Sequence, residues 1–205
     1  IQETEDEFVV GAMATLRQFE THEGLNAYFD HAAQESVRHI VGVQFRNCAT
    51  MGGSVWLRAG FSDPLTLLLA MDCTVELYQG DGKLVQIPIA EFCRQKPDNS
   101  ILTAVHIQKT GRKIVYQSFR NTETDFPVLT AAVSVKDGQY CAAVGARPMR
   151  AREVYADNIP ELIEQAKELP YQNNIRASAE YRRMLSGVLI QRAADELERI
   201  RTNGN

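Results

Sequence analysis

The stretch from Val43 to Pro64, VQFRNCATMGGSVWLRAGFSDP, sets the tightest limits on how this chain can fold. Its pattern predicts a short extended run, a turn at Gly52-Gly53, and a helix that opens at Asp63-Pro64. Adjacent glycines reach backbone angles closed to other residues and, lacking Cβ atoms, let a flat or anionic group come close. A glycine turn can also aim several N–H groups at phosphate oxygens. Taken alone, the commoner meaning of such a pair is a tight turn.

The rest of the chain narrows the class. Its 205 residues suffice for one large core or two small ones. A hydrophobic share of 44% and a charged share of 23% are those of an ordinary globular protein. The formal net charge of -4 argues against a nucleic-acid binder. No apolar run matches the roughly 20 residues of a membrane span, and no export signal is visible. The cationic clusters Arg147 to Arg152 and Arg182-Arg183 are expected on a solvated face or a partner contact. Cys48, Cys73, Cys93 and Cys141 are widely spaced, unlike the paired ligands of zinc or iron–sulfur sites, so free thiols in the cytoplasm are expected.

Periodicity predicts mixed elements. Phe8–Val10 reads as a strand and Thr15 as an N-cap. Leu25, Phe29, Ala33, Val37 and Ile40 predict one helix, with His22, His31 and His39 on polar faces. Asp63 is read as an N-cap with Pro64 at the first helical position, ahead of a buried helix through Met71. Alternation predicts strands at Cys73–Tyr78, Val85–Ile89 and Ile101–Ile107, with a helical turn at Ile89–Phe92. Thr110 to Lys113 separates two parts, residues 1–110 and 111–205. The second part reads as a three-stranded meander, Ile114–Phe119, Leu129–Val135 and Tyr140–Gly145, with Asp137-Gly138 as a hairpin turn. Two helices follow, one opening near Pro160 and one striped by Tyr181, Leu185, Leu189, Ala193 and Leu197. The fold class is therefore α+β. It lacks the βαβ spacing and G-x-G-x-x-G fingerprint of a Rossmann domain.

No Ser-His-Asp, Cys-His or H-E-x-x-H arrangement stands out, and no carboxylate pair sits on one short rigid element, although spacing leaves a tertiary constellation, and with it a hydrolase, open. That scarcity suits a cofactor enzyme, in which the protein supplies binding and tuning.

Arg46-Asn47-x-Ala49-Thr50-x-Gly52-Gly53, followed by Ser62-Asp63 and an apolar helix, resembles the second flavin loop of the FAD-binding medium subunit of the molybdenum hydroxylases. Xanthine dehydrogenase and carbon monoxide dehydrogenase belong to that family. Arg176-Ala-Ser-Ala-Glu-Tyr-Arg-Arg183 matches the start of the family's last helix, and the likeness runs from Phe8 to about Leu197. It implies a partial FAD-binding domain followed by the flavoprotein C-terminal domain. On that likeness, Ala49, Thr50, Gly52 and Gly53 run along the FAD pyrophosphate. Ser54 stands where the family usually has Asn, Leu57 where it often has Thr, and Asp63 at the acidic position after the loop. Arg120 is expected near the flavin ring, with Ser118-Phe119 and Thr124-Asp125-Phe126 beside it.

The resemblance also implies partners. A molybdenum-cofactor subunit would hydroxylate substrate, and a [2Fe-2S] subunit would pass electrons to FAD here and on to NAD or another acceptor. No membrane or nucleic-acid partner is expected. Gly11-Ala12 and Thr15 resemble the family's I-G-A-x-x-T, so the front subdomain with its A-G-G-T-D-like phosphate loop is expected outside these residues. Alternatives are a structural or assembly subunit that does not bind FAD, and an unrelated small-molecule enzyme or binding domain.

Overall fold

The computed structural model describes residues 1–203. Two antiparallel sheets carry the chain. The first is five-stranded in the order β1-β2-β5-β3-β4: β1 is Gln2–Glu3, β2 Glu7–Gly11, β3 Cys73–Tyr78, β4 Leu84–Pro88 and β5 Ile101–Gln108. The second is four-stranded: β6 Lys113–Phe119, β7 Leu129–Lys136, β8 Gln139–Gly145 and β9 Arg152–Ala156. The meander thus gains a fourth strand. Its sequence hides it, because Ala156 is the only buried residue of β9 and no alternating apolar face shows. Between β7 and β8, Lys136 pairs with Gln139, and Asp137 and Gly138 have φ of 50° and 84°, the positive angles a two-residue hairpin demands.

Helices α1 (Leu16–Thr21), α2 (Glu23–Tyr28) and α3 (Ala32–Val37) share a core with both sheets: Phe8 of β2 meets the Tyr28 and Phe29 rings, and α3 lies against β6. Thr15 caps α1 in a capping box with Gln18. The single helix expected through Leu25 to Ile40 is broken. Asp30 and His31 take left-handed φ of 48° and 64°, which short polar side chains tolerate better than bulky ones. Leu25, Phe29, Ala33 and Val37 are nonetheless all buried, since the two short helices turn one apolar stripe to the same core. His22 is not a polar-face residue but the N-cap of α2, its Nδ1 accepting from Leu25 N–H.

The segment from Val43 to Pro64 also departs from expectation. Val43–Arg46 is a helical turn, α4, instead of extended chain, and Gly52-Gly53 lie inside helix α5, Met51–Trp56. Thr50 caps α5 by accepting from Gly53 N–H. α6 runs from Asp63 to Leu69, with Ser62 as its N-cap, so Asp63 is the first helical residue and Pro64 the second. The shift costs nothing, because either position lacks an intrahelical acceptor for the N–H.

Helices α7 (Ile89–Arg94), α8 (Ile159–Lys167) and α9 (Ala179–Asn203) complete the chain. β7 and β8 are buried almost throughout, which explains their mostly apolar sequence, with Thr130 and Ser134 the polar residues among their buried positions. Ala132, Cys141 and Ala143 belong to the core shared with α6 and the first sheet. Ala131, Val133, Ala142 and Val144 join Leu162, Leu185, Leu189 and Ala193 of α8 and α9. Gly145 lets α6 approach β7: a Cβ there would strike the hydroxyls of Thr66 and Thr130, which lie 3.1 Å from each other.

The cationic clusters are not simply solvated. Arg182 is fully buried and donates to the carbonyls of Val128, Gln172 and Ala177 and to Asn174 Oδ1. Arg147 is likewise buried, serving the carbonyls of Val144, Pro170 and Arg150. A guanidinium has five N–H donors, enough to satisfy several carbonyls that loops and helix ends leave free. Among the described residues no helix is long and apolar enough to cross a membrane, and no cluster of metal-ligating side chains occurs.

Candidate functional site

A cleft of ≈ 520 Å³ opens between the α5–α6 segment and the chain that follows β6. Leu16, Ile40, Phe45, Leu57, Phe61 and Phe126 give it apolar walls. Several of these are exposed at its mouth, Phe45 at 50% and Leu57 at 68%, and Phe61 and Phe126 form an edge-on pair with centroids 4.7 Å apart. Six of the expected residues meet here: Ala49, Thr50, Gly53, Ser54, Asp63 and Arg120. Gly52 does not. It is buried against Ala12, whose Cβ and carbonyl oxygen would each lie 2.8 Å from an added Cβ, so this glycine serves packing.

Local structure explains these positions. The chain from Ala12 to Leu16 lies beside Ala49 to Gly52. Leu16 N–H donates to Ala49 O, Met51 N–H to Ala14 O and Gly52 N–H to Ala12 O, each at 2.8 Å. Gly53 N–H goes to Thr50 Oγ1 and Ser54 N–H to Thr50 O. The N–H groups of Met51 through Ser54 are therefore all used inside the protein, which differs from the array of free donors that a glycine turn suggested. Thr50 keeps its hydroxyl proton, because Oγ1 accepts the Gly53 bond. Ser54 spends its proton on Thr50 O.

Asp63 is the most perturbed group of the cleft. Its Oδ1 accepts from Tyr116 Oη at 2.6 Å and from Arg120 Nη2 at 2.5 Å. Burial lifts its carboxyl from the ordinary range to about 6, although Arg120 and Tyr116 pull it down. Burial, followed by the charges of Arg38 and Arg120, lowers His39, so its ring stays neutral. Arg120 donates Nη1 to Asp125 O at 2.7 Å, while Nε is buried without a partner. Asp125 in turn takes two bonds from Arg176, at 2.9 and 2.6 Å, and Arg176 lies over the Phe126 ring. The motif around Arg176 thus ends at the edge of the cleft, a link its sequence did not disclose.

Two further arginines hold the walls. Arg46 grips Glu20 with bonds of 2.8 and 3.0 Å and donates to Ile40 O, fixing the wall that carries His39 and Ile40. Arg58 lies 3.6 Å over the Phe92 ring and donates to the carbonyls of Phe92 and Trp56. The contacts with Glu20 and Phe92 did not show in the sequence, since those residues are remote from their arginines.

The cleft is thus largely apolar, with the buried Asp63–Arg120 pair at its border. The family model for the FAD binding domain in molybdopterin dehydrogenase matches residues 1–109, more than half of the 205. The chain belongs to that family, the FAD-binding component of the molybdenum hydroxylases, and FAD is the cofactor of its domain. The uncharacterized protein YgfM of Escherichia coli (strain K12) is 28% identical over 188 residues, covering 88% of this chain and 69% of YgfM. Two solved structures share the fold. Quinoline 2-oxidoreductase from Pseudomonas putida 86 superposes with a TM-score of 0.82 at 18% identity, over 96% of this chain and 76% of the other. Carbon monoxide dehydrogenase from Oligotropha carboxidovorans does so with 0.81 at 21% identity, over 95% and 76%.

The residues present fit the ring end of such a cofactor. Flat apolar walls flank a cation whose Nε has no partner, and Thr50 has a hydroxyl proton to give. A pyrophosphate would find no free N–H on Met51 through Ser54 as they stand.

Proposed function

We propose that this chain is an electron-transfer flavoprotein subunit of a xanthine dehydrogenase-like molybdenum hydroxylase. In this reading residues 1–110 are the second part of the FAD-binding domain and residues 111–205 the flavoprotein C-terminal domain. FAD supplies the two-electron exchange. Electrons arrive from a [2Fe-2S] subunit, after substrate is hydroxylated at a molybdenum subunit, and leave to NAD or another acceptor in the cytoplasm.

The observation that carries this reading is the convergence of Thr50, Gly53 and Ser54 with the Asp63–Arg120 pair in one apolar cleft. Ala49 and Gly53 offer backbone without bulk, and Thr50 a hydroxyl donor. Arg120 brings a cation where reduction would place negative charge, which favours the reduced form. Asp63, held by Tyr116, keeps Arg120 in place. The apolar side chains of Phe45, Leu57, Phe61 and Phe126, exposed at the cleft mouth, would be covered by a bound ring.

The test is the visible absorption of the protein after FAD is added and the excess removed. Flavin bands that survive washing in the native chain and vanish in Gly53→Val support the reading. Equal retention in both removes the α5 segment from the site. A redox titration adds a second check: Arg120→Gln should lower the flavin potential, and no shift would put Arg120 away from the ring.

One observation favours a second reading, a structural subunit without FAD. The internal pairing of the Met51 to Ser54 N–H groups leaves that segment complete without a ligand. A washed protein with no flavin bands, whether alone or joined to its natural partners, would support it.

A further inference from the structure

Asp63 and Arg120 are each nearly sealed, with side chains 5% and 7% exposed, yet both border the cleft. The pair is lopsided. Oδ1 of Asp63 receives both Tyr116 and Arg120, whereas no other described residue donates to Oδ2. Arg120 has no other carboxylate partner among the described residues, since the Asp125 carboxylate is engaged by Arg176 and only its backbone carbonyl faces Arg120. Its Nε is an orphaned buried donor.

A second negative charge arriving beside Arg120 would therefore meet Asp63 as a buried like charge. Two buried anions sharing one cation raise each other's proton affinity, and the one nearer neutrality takes up a proton. Asp63 is that group, because burial has already moved its carboxyl most of the way. The other titratable neighbours do not compete. Burial and adjoining arginines lower His39, so its ring resists taking up a proton, and Tyr116 is held far above its ordinary value by burial and by Asp63. Asp125, paired with Arg176, stays below the ordinary range.

We infer that Asp63 and Arg120 form a proton-linked anion site, in which one proton settles on Asp63 for each negative charge placed next to Arg120. The ligand class is a monoanion, whether a reduced flavin ring or a small inorganic anion such as nitrate. The flavin arm rests on the FAD reading above. In that arm dithionite would supply two electrons, and a bound flavin would take up one solvent proton and keep one negative charge beside Arg120. Asp63 Oδ2 would take up a second solvent proton.

The experiment has two arms on the full chain. Without FAD, nitrate is titrated in buffers of different ionisation heat at about pH 7, which counts protons taken up per anion bound. The expected count is about one in the native protein and near zero in Asp63→Asn. With FAD, the flavin potential is followed between about pH 6 and 8. The native protein should take up two protons per two electrons and Asp63→Asn one. Tyr116→Phe keeps every charge while removing one donor to Oδ1, so the two-proton region should extend to higher pH, an effect a merely structural role would not produce. Retained FAD with the same proton count in native and Asp63→Asn protein overturns the inference and leaves the flavin reading intact. Failure to retain FAD overturns the flavin reading instead. The inference is then decided by nitrate, and binding without proton uptake, or no binding, overturns it.

Discussion

Arg120 Nη2 reaches Asp63 Oδ1 at 2.5 Å, joining the end of β6 to the start of α6. The bond lies inside the protein, where an ion pair is strongly felt but costly to desolvate.

The first consequence is a pH dependence of stability. Asp63 titrates at about 6 when folded against an ordinary 3.8, so the native protein holds this proton more tightly than the unfolded chain. Stability from this group is fully present below the unfolded value and is lost as pH rises through about 6. The loss should be on the order of 3 kcal/mol. Urea unfolding of native protein and Asp63→Asn at a series of pH values should show a steeper decline between about pH 4 and 6 in the native protein. Parallel curves would mean that Asp63 does not titrate there.

Among the described residues Arg46 and Glu20 make a second buried ion pair, with side chains 7% and 5% exposed. Arg46→Met should destabilise by about 3 kcal/mol, because it strands a buried carboxylate. Arg17, at 3.0 Å, remains as a partial partner. Adding Glu20→Gln should recover part of the loss in a double-mutant cycle read by denaturant unfolding. Simple additivity of the two changes would contradict the pairing.

The glycines of α5 should behave oppositely. Gly52→Ala forces a Cβ against Ala12 and should cost about 2 kcal/mol. Gly53→Ala meets only Thr50 Oγ1, at 3.4 Å, and being helical should stabilise by about 0.5 kcal/mol. Thermal melts of the two single variants check the order, and equal shifts would refute the distinct environments.

Arg182→Met should cost about 3 kcal/mol, since three carbonyls and the Asn174 amide lose their donor. Leu189→Asp, which puts a charge at a site 1% exposed, should unfold the packing of α9 on the second sheet. Circular dichroism melts report both, and an unchanged melt of Leu189→Asp would remove α9 from that core.

What the sequence disclosed follows from how local each signal is. The alternation of Cys73 to Tyr78 and the Asp137-Gly138 hairpin needed only neighbouring residues, and both are where expected. Thr50, Ser54, Asp63 and Arg120 came through the family motifs, and their meeting in one cleft required the tertiary fold. Three features had no local trace. The break at Asp30-His31 leaves the apolar spacing untouched. The helical state of Gly52-Gly53 depends on Thr50 as cap and Ala12 as neighbour. Arg182 looks like a surface cation until the carbonyls of Val128, Gln172 and Ala177 surround it.

The core shared by α6, the first sheet and the inner face of β6 to β8 bears on how the polypeptide can be divided. Ile114, Tyr116, Ala132 and Cys141 are buried with Leu67 and Leu68 in one apolar cluster. A chain severed between residues 110 and 111 would leave both pieces with a bare oily flank matched only by the other. Co-expressed as separate polypeptides, they should reassemble into a single non-covalent particle, whereas each alone should aggregate. Light scattering of the mixture, giving the mass of one intact chain or of neither, would decide it.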